Sequence, residues 1–469
     1  MKYGLIGERL SHSYSAEIHA KIGDYPYELR ELAPGELDAF FAAREFEAIN
    51  VTIPYKQSVI PYLTEISPAA EKIGAVNTVV NRGGALYGYN TDFEGMRYLI
   101  ARAGICVSGK KVLILGTGGT SRTAAAVAVS LGARAVFRVS RTAKEGAISY
   151  AQAVQNHADT EILINTTPVG MYPNTAGVPI DISAFPQLCG VIDAIYHPLR
   201  TELIESAEAR GIPAAGGLLM LVRQAVAAAE LFFDGKIPGF DGETAVSDEV
   251  TSVSGEKIHI TDGKTRIFDE AMPASGEKTR VTDGETPVSE GVRARTERIY
   301  REILAEKRNI VLIGMPGAGK TTVGEIVAKR QNKPFFDTDE AVLERIGMPI
   351  AAFFATHGEA AFREEETAVI HALAGQSGAV IATGGGAILK EENVRELKKN
   401  GVLVFLDRDP AHITPTEDRP LAAGRAALEH LYQVRYPRYL AVADCRVAVN
   451  GNAEATADAV AQVVARDSH

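Results

Sequence analysis

Gly314-Met315-Pro316-Gly317-Ala318-Gly319-Lys320-Thr321-Thr322 fits the spacing G-x-x-x-x-G-K-[ST]. The apolar run Ile310-Val311-Leu312-Ile313 stands before it and a helical pattern, Val323 to Arg330, stands after it. Strand, glycine loop and helix in that order are the context a phosphate-binding loop requires. Glycines let successive backbone N–H groups turn toward phosphate oxygens, and the helix adds its positive N-terminal end. Gly317, Gly319, Lys320, Thr321 and Thr322 are therefore candidate ATP-binding residues, with Lys320 reaching the terminal phosphates and the Thr321 hydroxyl a candidate Mg2+ ligand. A chance glycine turn is the bland alternative, and strand, full motif and helix together weigh against it.

The rest of the chain bounds what that loop can serve. At 469 residues, two to four domains are expected, each able to bury its own core. A net charge of −10 argues against nucleic acid as the main ligand. Cys106, Cys189 and Cys445 are far apart and form no C-x-x-C, which suits reduced thiols rather than a disulfide frame or a zinc site. The opening MKYGLIGERL is cut by Glu8 and Arg9, unlike a signal peptide, and no uncharged stretch has the length of a membrane span. The chain reads as a soluble cytoplasmic protein with no membrane or nucleic-acid partner; its oligomeric state is not legible.

In residues 1–105, Lys2 to Gly7 reads as a short buried strand, followed by the hydroxyl-rich Ser11-His12-Ser13-Tyr14-Ser15 before a helix. Asn50-Val51-Thr52-Ile53-Pro54-Tyr55-Lys56, Gly74 to Val80 with its single Asn77, and Tyr89-Asn90-Thr91-Asp92 come next. Singly, each has a bland reading: serines cap helices, a lysine after a strand is a solvated end, an aspartate before a helix is a cap. Together, GLIGERLSHSYS, NVTIPYK, GAVNTVV and GYNTDFEG resemble the substrate domain of shikimate dehydrogenases. The resemblance implies that Ser13, Ser15, Thr52, Lys56, Asn77 and Asp92 line a shikimate site, with Lys56 and Asp92 the catalytic pair. The chemistry agrees, since hydride reduction of a ketone leaves an alkoxide that must receive a proton. Ala16 stands where the family usually has Pro. His12 and His197 carry no assigned role.

Residues 106–238 read as a Rossmann unit. Lys111 to Leu115 is a buried strand that runs into Gly116-Thr117-Gly118-Gly119 and an alanine-rich helix over 123–131, and Ala135 to Val139 is a second strand. Gly116, Gly118 and Gly119 are candidate cofactor contacts. No acid follows the second strand; Ser140-Arg141-Thr142-Ala143-Lys144 does, and two cations there favour a 2′-phosphate, hence NADP(H) over NAD. By resemblance, Arg141, Thr142 and Lys144 hold the adenosine side, although Ser140 replaces the family's usual Asn. Also by resemblance, Tyr196 stands near nicotinamide and substrate, the Gly217 backbone meets the carboxamide, and Gln224 binds substrate hydroxyls. The helix over 215–238 is expected to return to the first domain.

Residues 239–292 read as an acidic, Gly/Ser/Thr-rich linker. Between Phe240 and Gly291 there are 12 acidic and 5 basic residues. SGEKIHITDG at 254–263 recurs as SGEKTRVTDG at 275–284, and Asp-Gly after each short apolar run permits a pair of hairpins. Arg293 to Lys307 reads as an amphipathic helix into the last domain, 293–469.

In that domain, Phe335-Phe336-Asp337-Thr338-Asp339, Gly358 to Arg363, Thr383-Gly384-Gly385-Gly386, Asp418-Arg419-Pro420 and Arg435-Tyr436-Pro437-Arg438-Tyr439 resemble shikimate kinases. Phosphoryl transfer needs clamped phosphates, a held Mg2+ and an aligned acceptor hydroxyl. Asp337 is placed to hold Mg2+ through water, and Asp339 to bind and activate the hydroxyl. By resemblance, Arg363 and Arg435 grip the substrate carboxylate, Gly385 and Gly386 offer backbone N–H groups, and Arg419 sits on a lid over ATP. The lid stretch His412 to Glu417 has fewer basic residues than the family usually has.

The expected fold class is α/β: an N-terminal α/β substrate domain plus a Rossmann NADP domain, an acidic linker and a C-terminal P-loop kinase domain. The two resemblances imply NADPH-dependent conversion of 3-dehydroshikimate to shikimate, then its phosphorylation by ATP and Mg2+. A metabolite sensor without turnover is a rival that intact Lys56, Asp92, Lys320, Asp337 and Asp339 argue against. NAD-dependent quinate oxidation is a second rival, opposed by the basic pair Arg141 and Lys144.

Overall fold

The computed structural model describes residues 1–10, 13–142, 146–239, 258–261, 264–267, 289–414 and 424–467. Lys144, Arg419, the second repeat and residues 415–417 of the lid stretch lie outside the described residues. Two compact units are present: Met1–Tyr196 with Thr201–Tyr300, and His197–Arg200 with Arg301–His469. Both are α/β, in agreement with the expected class.

The first unit opens with β1 (Tyr3–Gly7), α1 (Ser15–Ile22), β2 (Glu28–Glu31), α2 (Leu37–Ala43), β3 (Ala48–Val51), β4 (Glu65–Ile66), α3 (Pro68–Ile73), β5 (Thr78–Arg82), β6 (Ala85–Tyr89) and α4 (Asp92–Arg102). These strands make a six-stranded mixed sheet in the order β2-β1-β3-β5-β6-β4. Its core is aromatic and aliphatic, with Phe40, Phe41, Phe46, Ile49 and Leu86 all buried.

The chain then runs β7 (Lys111–Leu115), α5 (Gly119–Ser130), β8 (Ala135–Ser140), β9 (Ile148–Ser149), α6 (Tyr150–Asn156), β10 (Ile162–Asn165), β11 (Gly190–Asp193), α7 (Glu202–Ala209), β12 (Ala214–Ala215) and α8 (Leu218–Phe232). The central order β12-β11-β10-β7-β8 is parallel, with β9 beside the end of β8. β7 shows why its sequence is a continuous apolar run. Val112 and Ile114 enter one core, Leu113 and Leu115 the other, so both faces are covered. The order reverses between β7 and β10, and a crevice outside the carboxyl ends of those strands is where such sheets hold ligands.

Part of the linker is ordered structure in this sheet. β13 (Ile258–Thr261) and β14 (Lys264–Ile267) form an antiparallel hairpin, and β14 pairs antiparallel with β8 at Thr265↔Val136 and Lys264↔Phe137. The first of the two hairpins expected in the linker is therefore formed by the pairing of β13 with β14, and β14 lies along the edge of β8. α9 (Glu290–Lys307) starts three residues before the helix read from sequence.

The second unit contains β15 (Asn309–Ile313), α10 (Lys320–Gln331), β16 (Phe335–Asp337), α11 (Thr338–Ile346), α12 (Ile350–Ala374), β17 (Val380–Ala382), α13 (Glu391–Asn400), β18 (Gly401–Asp407), α14 (Arg425–Val442), β19 (Cys445–Ala448) and α15 (Ala453–Asp467). Its five parallel strands lie in the order β16-β17-β15-β18-β19. β15 again splits its apolar residues, Val311 and Ile313 to one core and Ile310 and Leu312 to the other. The reversal between β15 and β17 brings together the glycine loop after one strand and Thr383–Gly386 after the other. Among the described residues no helix is long and apolar enough to cross a membrane.

Candidate active sites

In the first unit, the segment after one strand, the start of one helix and the body of another meet. Lys56 follows β3, Asp92 is the first residue of α4, and Gln224 lies on α8. Lys56 Nζ is 2.5 Å from Asp92 Oδ2, and both side chains are largely buried. A cation and a carboxylate held this way can keep one proton at a defined point, because desolvation strengthens their attraction. The turn between β7 and α5 reaches the same place. A Cβ on Gly119 would lie 3.5 Å from Lys56 Cδ, so Lys56 stands between Asp92 and the glycine turn.

Asn77 organises the polar wall beside this pair. Its Oδ1 accepts from the Thr91 N–H at 2.7 Å, while its Nδ2 donates to Thr91 Oγ1 at 3.0 Å and to Gln224 Oε1 at 3.4 Å. Asn77, Thr91, Asp92 and Gln224 are all buried. Ser13 and Ser15 lie 3.1 Å apart, and the N–H of Ser15 donates to Ser13 Oγ at 3.2 Å. The N-cap of α1 is Tyr14, so neither serine occupies the capping position that the bland reading gave them. Thr52 ends the β3 run beside β1, its N–H donating to Ile6 O at 2.9 Å.

Tyr14 and Tyr196 pack with ring centroids 5.2 Å apart, which joins the serine turn to the loop after β11. Burial, then Tyr14, pushes the Tyr196 phenol up to about 12. Asp193 anchors that loop. Its carboxylate accepts from Thr201 Oγ1 at 2.7 Å, Asn165 Nδ2 at 3.0 Å and the Ile195 N–H at 3.1 Å. Burial pushes this carboxyl up to about 6, although all three hydrogen bonds favour the anion. Gly217 caps α8 where a Cβ would strike Ala194 O at 2.2 Å, so only glycine permits this approach of α8 to the loop.

For a dinucleotide, the fit rests on the open turn. Nothing lies within 4 Å of a Cβ built on Gly118, and the start of α5 has no side-chain cap. Gly116 is fixed to β8 by its N–H to Val139 O at 2.9 Å. Arg141 and Thr142 are exposed just past β8, available to an anion, and among the described residues no carboxylate occupies that strand end.

In the second unit, the glycine loop closes on its own lysine. Gly319 caps α10 in the left-handed region, and Lys320, the first residue of the helix, is buried. Its Nζ donates to Gly314 O at 3.0 Å and Met315 O at 2.9 Å. Thr321 Oγ1 donates to Asp337 Oδ2 at 2.7 Å, and Thr322 is exposed beside it. These two oxygen donors suit Mg2+, a hard cation that keeps several waters and takes few protein ligands. Gly317 lies in the same loop at positive φ.

Asp337 caps α11 by accepting the Asp339 N–H at 2.9 Å. Asp339 thus belongs to the helix: β16 stops one residue into D-x-D because Asp337 caps α11. The run Gly384-Gly385-Gly386 is packed from every side. A Cβ at Gly384 would meet Asp339 Oδ1 at 2.5 Å, at Gly385 Pro316 Cδ at 2.7 Å, and at Gly386 the Arg363 guanidinium. Hence the glycines bring the phosphate loop, Asp339 and Arg363 to one spot.

Arg363 is held by Glu366 at 2.7 Å and by Glu359 at 3.0 Å. Burial alone would lower the guanidinium's pKa, and the two carboxylates outweigh it and leave it raised. Glu366 is itself pushed up by burial, against the pull of Arg363, with Asp339 adding to the rise. Arg435 is buried and donates to Gly385 O at 2.9 Å, which Tyr439 Oη also meets at 2.6 Å.

Sequence reading missed Thr91, Asp193, Glu359, Glu366 and Tyr439. Three had a local signal: Glu359 and Glu366 stand four before and three after Arg363 on one helix, and Tyr439 four after Arg435.

Comparison with known proteins gives two family matches. Residues 5–79 match the model described as shikimate dehydrogenase substrate binding domain, and residues 316–466 the model described as shikimate kinase. The chain is 34% identical over 245 residues to a shikimate dehydrogenase (NADP(+)) of Clostridium beijerinckii, covering 49% of this chain and 91% of that protein. It is 37% identical over 250 residues to the one of Geobacillus kaustophilus, with 49% and 91% covered. The crystal structure of shikimate dehydrogenase 1 from Peptoclostridium difficile is 35% identical, covering 52% of this chain and 94% of that chain at a TM-score of 0.47.

Proposed function

We propose a direction, substrates and residue roles for a chain that belongs to the shikimate dehydrogenase family and carries a shikimate kinase domain behind it, a bifunctional enzyme of the shikimate pathway. The first unit reduces 3-dehydroshikimate to shikimate, and the second phosphorylates the shikimate 3-hydroxyl. When bound, NADPH supplies a hydride to the first site, and ATP with Mg2+ a phosphoryl group to the second.

In the first site, Lys56 delivers a proton to the oxygen that gains charge, and Asp92 keeps the ammonium aimed. The observation that carries this reading is the place of Lys56, 2.5 Å from Asp92 and packed against Gly119 of the dinucleotide turn. Ser13, Ser15 and Thr52 take the carboxylate and Asn77 and Gln224 the ring hydroxyls, with Tyr196 closing the side toward the cofactor. Gly116, Gly118, Gly119 and Gly217 offer backbone to the dinucleotide, and Arg141, Thr142 and Lys144 its 2′-phosphate.

In the second site, Asp339 accepts the proton of the attacking hydroxyl. Arg363 and Arg435 take the carboxylate, and Gly385 and Gly386 offer N–H groups. Thr321 and Asp337 would hold Mg2+, and Lys320 and Arg419 meet the charge that moves during transfer. The test is cofactor choice with each half assayed alone. NADPH consumption must follow added 3-dehydroshikimate and exceed NADH consumption, and ADP must form only when shikimate is added. Faster turnover of quinate with NAD would overturn the reading.

A further inference from the structure

The linker is followed by a helix whose first turns are inside the dehydrogenase unit. Val292, Arg295, Thr296 and Ile299 of α9 are buried, a stripe with the 3.6-residue period, and one of the four is an arginine. A guanidinium is desolvated at high cost unless charge is matched nearby. Burial lowers its pKa, and the strongest opposing influence is Glu230 of α8, a half-buried carboxylate 3.6 Å from Arg223. The neighbouring Glu297 reaches α4: its Oε1 accepts from Tyr98 Oη at 3.0 Å and Arg102 Nε at 3.1 Å. Arg298 Nη2 donates to Lys21 O, near the end of α1, at 3.3 Å.

Those three helices are the ones that carry the first site. α1 begins with Ser15, α4 begins with Asp92, and α8 bears Gln224. α4 and α8 are bound to move together. A Cβ on Gly95 would meet Met220 O at 2.6 Å, so α4 and α8 touch backbone to backbone one turn from Asp92 and Gln224. A helix rise of about 1.5 Å per residue puts Tyr98 and Arg102 about 9 and 15 Å along α4 from Asp92.

We propose that residues 289–300, though they follow the linker, are a clamp of the dehydrogenase, and that Arg295 and Glu297 are positioning residues holding Ser15, Asp92 and Gln224 in register. The proposal rests on the dehydrogenase reading above. It places the functional end of the dehydrogenase after Tyr300, not at the linker.

Two measurements on the full chain test it. A site-specific protease sequence is inserted within residues 268–288 and cut, so that β14, which pairs with β8, stays on the dehydrogenase fragment. The expected result is that the two fragments co-elute on size exclusion and keep dehydrogenase turnover, while the same protein with Arg295→Glu separates and loses it. Separation of the cut protein without the substitution, with turnover intact, overturns the clamp, as does co-elution with full turnover of Arg295→Glu. In uncut protein, Glu297→Ala is expected to raise KM for 3-dehydroshikimate about three- to tenfold with kinase turnover unchanged, and Glu297→Gln, which can still accept from Tyr98, to recover part of it. A lowered melting temperature with KM and kcat unchanged would make Glu297 merely structural and end the positioning claim. Absence of any turnover by the parent enzyme would instead sink the functional reading, and fragment association would still be read without it.

Discussion

The dehydrogenase site and the kinase site prepare their charged groups in different ways. In the first, opposite charges and amides are joined to each other as they would act: Lys56 with Asp92, Asn77 with Thr91 and Gln224. In the second, the groups proposed to meet ligands are occupied by internal stand-ins. Lys320 is bonded to Gly314 O and Met315 O, Thr321 to Asp337, and Arg363 to Glu359 and Glu366. On the proposed roles, the first network can keep its internal pairs as a ligand binds, whereas the second must exchange its partners for ligand atoms. That suits a phosphoryl-transfer site, where the protein's task is positioning and charge stabilisation around ligands that bring their own anions.

The largest effects should separate the two sites. Lys56→Met is expected to lower dehydrogenase kcat by about 10²–10⁴-fold, the usual worth of a positioned proton donor, with kinase kcat unchanged. Steady-state assays of each half check this, and a loss in both would break the comparison. Lys320→Ala should lower kinase kcat by about 10²–10³-fold, as loss of one charge-stabilising donor does, and leave the dehydrogenase untouched.

A stability effect of about 3 kcal/mol comes next, from Asp193, whose folded carboxyl titrates at about 6 against about 3.8 when free. Because the folded value is the higher one, the folded state binds more protons between those values. Its contribution is fully present below about pH 3.8 and is lost as pH rises through about 6. Asp193→Asn, whose amide oxygen can still accept from Ile195 and Asn165, should remove that slope. Urea unfolding of the first unit at pH 4 and pH 7 measures it, and an unchanged difference between the two pH values would refute the assignment.

Smaller effects sharpen the contrast at Arg363. Arg363→Lys should raise KM for shikimate about tenfold, since a point charge cannot give two parallel bonds to a carboxylate. Glu359→Gln should lower that KM about two- to threefold if Glu359 is a stand-in, because an exposed pair is worth little more. A rise in KM would show that Glu359 instead holds Arg363 in place.

What sequence reveals here follows the range of each interaction. β7 was legible to its ends, Lys111 to Leu115, because a strand covered on both faces needs an unbroken apolar run. The phosphate loop and the pairing of β13 with β14 were legible because their chemistry lies within ten residues. Lys56 and Asp92 stood out only through their family motifs, since nothing local says that residues 36 apart will meet. Asp193 was hidden for the same reason: its partners Asn165 and Thr201 come from different elements, and an aspartate at a strand end has no pattern of its own. Arg295 fell inside the amphipathic helix read over 293–307, and periodicity alone does not tell which arginine in such a helix will be covered.

The most direct test of the whole account is one product assay by mass spectrometry. Purified protein receives 3-dehydroshikimate with NADPH, ATP and Mg2+, and each cofactor is omitted in turn. The account predicts shikimate 3-phosphate only when all are present, and shikimate alone when ATP is left out. Formation of neither product with all cofactors present would contradict it.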